Sequence, residues 1–206
     1  MENKNNKYLW SLDISTTNIG FSLWDSKGKL IEMKHLKLKL AKNIIVEDRD
    51  LHKAEIFREY VERYKEHVAI DLNGVIDKIV VEEPLGGSDN PTTQALLFGF
   101  NGICRYILFG IFGIFPAKIS VYNGRKIFCP ELIVTKKKKT GEIVEKLTFP
   151  DEYKDKKKEY IWKKVSKLEP QIVWFYTKKD EIHEMCYDMS DSYVVGYAYL
   201  KQNGII

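Results

Sequence analysis

Along the first forty residues, apolar and polar positions fall into short runs with the period of two that places alternate side chains on opposite faces of a strand. Residues 8–14, 19–25 and 29–40 read as three strands, and "HLKLKL" in the third alternates without a break. The turn "DSKGK" at 25–29 supplies the Gly that a hairpin connection favours, so the three strands form an antiparallel meander. The period then changes. In "DRDLHKAEIFREYVERYKEHVAIDL", apolar Leu51, Ile56, Tyr60 and Tyr64 recur among charges, which predicts an amphipathic surface helix. "KIVVEEP" at 78–84 is a β-branched run closed by Pro and suits a buried parallel strand. A strongly apolar helix at 92–114 and a further strand at 117–122 complete a β-β-β-α-β-α-β order, and a last helix follows much later.

The apolar helix is long enough to suggest a membrane span. "LLFGFNGICRYILFGIF" and its continuation to residue 115 approach the roughly 20 residues that cross a bilayer. Asn101 and Arg105 interrupt the middle, and a charge there costs at least about 2.5 kcal/mol in hydrocarbon. A helix buried by its own sheet and by a partner subunit is the better expectation, with Gly99 and Gly102 permitting close approach. No membrane association is expected.

Charge changes the picture in one region. The chain is only +4 overall, but residues 126–167 hold 13 Lys against 7 Asp or Glu, a surplus of 6, leaving the remainder at about −2. This insertion, at about 127–170, reads as a hairpin at 132–148 with its tip at 136–141, then a basic helix stopped before Pro170. Lys136, Lys137, Lys138, Lys139, Lys156, Lys157 and Lys158, with Arg125, are candidate phosphate contacts. Tyr153, Tyr160 and Trp162 interleave with them and suit either base stacking or packing.

Four acids stand at the ends of these elements: Asp13 in the first strand, Glu82 at the end of the fourth, and Asp188 and Asp191 where the last helix opens. The i, i+3 spacing of the last two puts both carboxylates on one helical face. Taken singly, Asp13 suits a turn ligand and Asp188 a helix N-cap. Together, four carboxylates on adjacent strand ends and a facing helix would repel one another unless divalent cations intervene. Hard oxygen ligands suit Mg²⁺, and paired ions serve phosphoryl displacement.

These pieces carry a resemblance. "LDISTTNIGFSLWD", "IVVEEP" and "DMSDSYVVGYAYL" resemble the RuvC family of Holliday junction resolvases within the RNase H-like superfamily, especially its virus-encoded members. "NPTTQALLFGFNGICRYIL" resembles that family's interface helix, and "VYNGRKIF" its lysine-bearing segment. Together they cover about half the chain in the family's order. The resemblance implies a single α/β domain over 1–206 with an RNase H-like fold. Its mixed five-stranded sheet, three antiparallel then two parallel strands, would be flanked by helices, with the basic insertion before the last helix. It implies two Mg²⁺ ions, replaceable by Mn²⁺, on Asp13, Glu82, Asp188 and Asp191, and Lys126 as a catalytic charge stabiliser. It implies a homodimer through 92–114 that cuts four-way DNA junctions, leaving 5′ phosphate and 3′ hydroxyl. Glu83 rivals Glu82; alternation lets only one face the metals, and the family spacing favours Glu82. Two departures stand out. Leu85 occupies the place of the family's junction-wedging aromatic, and residues 129–150 have no obvious bacterial equivalent.

Other classes fit less of the chain. The opening stretch also resembles the first phosphate loop of sugar kinases and actin-like proteins, but 206 residues leave no room for their second domain. A ribonuclease H acting on RNA–DNA hybrids usually draws its Glu from the first helix. A non-catalytic nucleic-acid scaffold is the third alternative. His183 and Cys186 make half a zinc site with no second pair at ligand spacing. Cys104, Cys129 and Cys186 are odd in number and share no CxxC spacing. With a polar N-terminus, they lead to the expectation of a reducing cytoplasm, a host's if the chain is viral.

Overall fold

The computed structural model describes residues 5–41, 43–84 and 90–206. Strands β1 (Asn6–Ile14), β2 (Asn18–Asp25) and β3 (Leu30–Lys37) form the expected meander. After helix α1 (Arg49–Ile70), β4 (Gly74–Glu83) returns parallel to β1. Helix α2 (Pro91–Phe112) then leads to β5 (Ala117–Ser120), parallel to β4. The sheet order is β3-β2-β1-β4-β5, three antiparallel strands followed by two parallel ones. Beyond it come α3 (Val121–Phe128), the hairpin β6 (Ile133–Lys137) and β7 (Ile143–Leu147), α4 (Lys157–Leu168) and α5 (Met185–Gln202).

Central β1 is buried on both faces, and its period of two divides the core. Trp10, Leu12 and Ile14 join Ile19, Phe21, Leu23 and Val81 in a cluster under α1 and α2. Leu9, Trp24 and Val80 join the cluster under α3, α4 and α5. Asp13 and Glu82 have the parity of this second face, so the strand pattern that builds the core also aims both carboxylates toward α5.

Four expected boundaries or faces differ. In α1 the buried stripe is Ala54, Phe57, Val61, Tyr64 and Val68, while Leu51 is exposed; Leu51 sits about a quarter turn round from the centre of that stripe. Strand β3 ends at Lys37 rather than at residue 40, because its partner β2 begins at Asn18, opposite Lys37. Strand β5 ends at Ser120, whose hydroxyl accepts the Asn123 N–H at 3.3 Å and starts α3 where continued strand was expected. Helix α2 begins at Pro91, with Asn90 Oδ1 accepting from the Thr92 and Thr93 amides at 3.0 and 3.2 Å. It buries one face through Phe100, Asn101, Cys104 and Leu108, whereas its own domain leaves Leu96, Phe98 and Tyr106 exposed. By length and composition it is a helix that could cross a membrane.

Candidate active site

Strands β1 and β4 run parallel with Leu12 beside Val81, so the next residues, Asp13 and Glu82, end adjacent strands side by side. Glu83 points to the other face and pairs with Lys118 at 3.7 Å, so it is Glu82 that stands beside Asp13. Asn101 on the buried face of α2 donates to the Glu82 carbonyl at 3.4 Å and ties the strand end to that helix.

Helix α5 crosses this strand end at very close range, and small residues allow it. A Cβ at Gly20, the residue opposite Asp13 in the β1–β2 ladder, would run into the Asp188 carbonyl and lie 2.8 Å from the Met189 nitrogen. One turn on, the Ser22 and Ser192 hydroxyls bond at 2.8 Å. At Gly196 a Cβ would strike the Trp24 indole and the Ser11 hydroxyl. These three contacts fix the axial position of α5 on the sheet. The helix begins at Met185 without a side-chain cap, so Asp188 is free of capping and faces inward with Asp191.

All four acids line one cleft of about 330 Å³ together with Ser15, Thr17, Asn18 and Arg125. Asp13, Asp188 and Asp191 are buried. Burial and the neighbouring Asp191 push the Asp13 carboxyl up to about 6. Burial, Asp13 and Asp191 hold Glu82 well above the ordinary carboxylate range. Burial raises Asp188 too, against the opposing pull of Lys158. Two cations answer this charge. Lys158 Nζ lies 3.2 Å from Asp188 Oδ1 and 3.1 Å from Asp191 Oδ2, and Arg125 donates to Asp191 Oδ1 at 3.4 Å. His35 on β3 stands 4.0 Å from Asp188 Oδ2, its imidazole kept toward the neutral form by burial.

The other expected site residues lie apart. Lys126 is ion-paired with Glu145 on β7 and is not among the cleft residues; the α3 cation that reaches the acids is its neighbour Arg125. Of the lysines assigned to DNA, Lys136, Lys137, Lys138 and Lys139 are exposed at the hairpin end, and Lys156 and Lys157 line an open groove with Arg125. Lys158 lines that groove too, but its ammonium reaches in to the acids. Tyr153 and Tyr160 pack edge to face at 5.2 Å, and Trp162 meets Trp174 at 6.2 Å, so these rings also serve packing. His183 Nδ1 accepts the Met185 amide and Cys186 Sγ the Phe175 amide. All three cysteines are free and buried. Leu85 lies outside the described residues. Neither Arg125 nor Lys158 was expected at the acids. Ser120 three residues before Asn123 is the helix-start signal that would have set the phase of α3; for Lys158 no local signal exists.

The donor set suits a hard divalent ion: four carboxylates, three of them buried, and an ammonium between two of them standing where a cation is needed. Among the described residues, no group of three or more His, Cys, Asp or Glu side chains stands close enough together to hold a metal ion; Lys158 lies between Asp188 and Asp191.

The sequence matches no protein-family model and no curated protein. The fold does match solved structures. Thermus thermophilus RuvC in complex with a Holliday junction substrate aligns with a TM-score of 0.56 at 10% identity, covering 97% of this chain and 97% of that one. A second T. thermophilus RuvC structure gives 0.52 at 11% identity, over 96% of each chain. A ROK hexokinase from the same organism gives 0.37 at 16% identity, over 62% of this chain and 39% of that one. The chain therefore has a RuvC-like fold, a mixed α/β arrangement around a five-stranded sheet.

Proposed function

We propose that this chain is an RNase H-like, metal-dependent DNA endonuclease that cuts branched DNA, four-way junctions foremost. The observation that carries the reading is the convergence of Asp13, Glu82, Asp188 and Asp191 from two strand ends and one helix into a single cleft. The RuvC-like fold adds to it, one of the matched RuvC structures being a complex with a Holliday junction substrate.

The four carboxylates would hold two Mg²⁺ ions, with Mn²⁺ as a substitute, and such ions supply Lewis acidity for in-line phosphodiester hydrolysis. Burial and their proximity to other carboxylates keep protons on Asp13 and Glu82 to higher pH than on ordinary carboxyls, and both would have to be ionised to hold a metal ion. Arg125, at the junction of cleft and basic groove, takes the phosphate next to the bond that breaks and offsets its developing charge. Lys156 and Lys157 on the groove wall, and the lysines of the hairpin tip, hold the flanking backbone.

The same reading includes a homodimer. Paired cuts across a two-fold junction suit a C2 assembly. The outward stripe Ala95, Gly99, Gly102 and Tyr106 of α2 offers the surface, since a Cβ at either glycine meets nothing. The test is incubation with labelled four-way junction, fork, duplex and RNA–DNA hybrid, each with Mg²⁺ or EDTA. Junction cleavage only with metal supports the proposal; preferential cutting of hybrid favours a ribonuclease H instead.

A further inference from the structure

Lys158 is the second residue of α4, a helix anchored by buried Ile161 and Val165 in the core shared with α5. A packed helix therefore delivers its ammonium to the acid pair. The contact is two-sided, 3.2 Å to Asp188 and 3.1 Å to Asp191, and both acids are buried while the lysine side chain is 50% exposed. Its exposed flank faces the neighbouring groove of about 710 Å³, where Lys154, Lys156, Lys157 and Arg125 outnumber the acids Asp155 and Glu159. Lys158 and Arg125 belong to both the groove and the acid cleft.

We infer that Lys158 is a tethered counter-ion. It holds Asp188 and Asp191 together when no divalent ion is bound, and it must swing out toward the groove before an ion can enter between them. The inference rests on the proposed reading of the four acids as metal ligands. Two buried carboxylates need positive charge nearby whether or not metal is present, and Lys158 supplies it at the cost of competing with the ion. A DNA phosphate in the groove gives the displaced ammonium a new partner. Backbone binding thereby favours metal binding, and the coupling is reciprocal. Lys158 is a positioning residue in this scheme, acting through the acid pair.

The test is titration of Mn²⁺ into the DNA-free full chain, read by electron paramagnetic resonance of the free ion, a measurement that needs no turnover. Lys158→Met keeps the aliphatic stem and removes the charge; Lys158→Gln is the second variant should Met disturb folding. Either should bind Mn²⁺ more tightly than wild type, by roughly tenfold, and should melt at lower temperature in EDTA, with Mn²⁺ restoring the loss. Lys158→Arg should stay at or below wild-type affinity. Lys27→Met, the same charge change on an exposed turn, should bind as wild type does. Equal or weaker Mn²⁺ binding by Lys158→Met and Lys158→Gln overturns the counter-ion and leaves the metal site standing. Absence of Mn²⁺ binding in wild type and variants alike removes the metal site and the counter-ion with it.

Discussion

Gly20 faces the backbone of Asp188 with no space for a side chain: a Cβ there would collide with the Asp188 carbonyl and approach the Met189 nitrogen to 2.8 Å. Because Gly20 is paired with Asp13 across the β1–β2 ladder, one missing methyl group governs the distance between the strand acid and the helix acids. Gly20→Ala should therefore push α5 away from the sheet, costing about 1 to 3 kcal/mol of stability and several degrees of melting temperature. Mn²⁺ affinity should fall in the same variant. Thermal melts with and without Mn²⁺ check both; a wild-type melt and wild-type affinity would mean that the helix has slack at this crossing.

The raised carboxyls make the metal-free protein sensitive to pH in a definite direction. Asp13, at about 6 in the fold against an ordinary value near 4, binds a proton in the native state that the unfolded chain has released. Its contribution to stability is therefore full below about pH 4 and lost as pH rises through about 6, and Glu82 shifts in the same direction. In EDTA, Asp13→Asn should be more stable than wild type at pH 7.5 by about 1 to 3 kcal/mol, with the gap closing toward pH 4. Metal affinity should rise with pH over the same range, because the ligands must lose protons first. Urea melts at pH 4.5 and 7.5 measure the first effect; a pH-independent gap between variant and wild type would contradict the assigned titration.

Helix α2 is apolar where it faces outward, and Gly99 and Gly102 lie open on that face. Gly102→Glu should convert a dimer to monomer in sedimentation experiments at micromolar concentration while leaving the melting temperature within a few degrees. A wild-type chain that sediments only as monomer, with and without DNA, would exclude the dimer.

The exposed lysines 136–139 carry a separable expectation. Their replacement by Ser should weaken junction binding and flatten the slope of log affinity against log salt by roughly 1 to 3, since each lost phosphate contact contributes about 0.9. Cleavage at saturating protein should change much less. An unchanged slope would make the run a solvated loop tip.

The strands themselves were legible in short-range pattern, and i, i+3 spacing put Asp188 with Asp191. The order of the strands in the sheet and the choice of Glu82 over Glu83 came from the family resemblance, because the face that Asp13 and Glu82 share depends on the register of β1 with β4, about 70 residues away in the chain. The cations were not legible. Lys126 came from the resemblance to the family's lysine-bearing segment, whereas the α3 cation at the acids is its neighbour Arg125; reading strand as far as residue 122 also hid the capping role of Ser120. Lys158 reaches Asp188 from 30 residues away, a contact that depends on how α4 packs on α5 and has no signature in local charge. The buried face of α1 was obscured for a related reason: Leu51 is apolar, but the stripe from Ala54 to Val68 already satisfies the helical period without it.

The most direct measurement is single-turnover cleavage of a labelled four-way junction by wild type, Asp13→Asn, Glu82→Gln, Asp191→Asn and Glu83→Gln, with Mg²⁺ or EDTA and with binding followed in parallel. The account predicts metal-dependent cutting by wild type and by Glu83→Gln. The other three should lose on the order of 10³-fold in rate, equivalent to about 4 kcal/mol of barrier, while still binding the junction, because neutralising an acid relieves its repulsion of phosphate. Cleavage that persists in EDTA, or wild-type rates from Asp13→Asn, Glu82→Gln and Asp191→Asn, would contradict it.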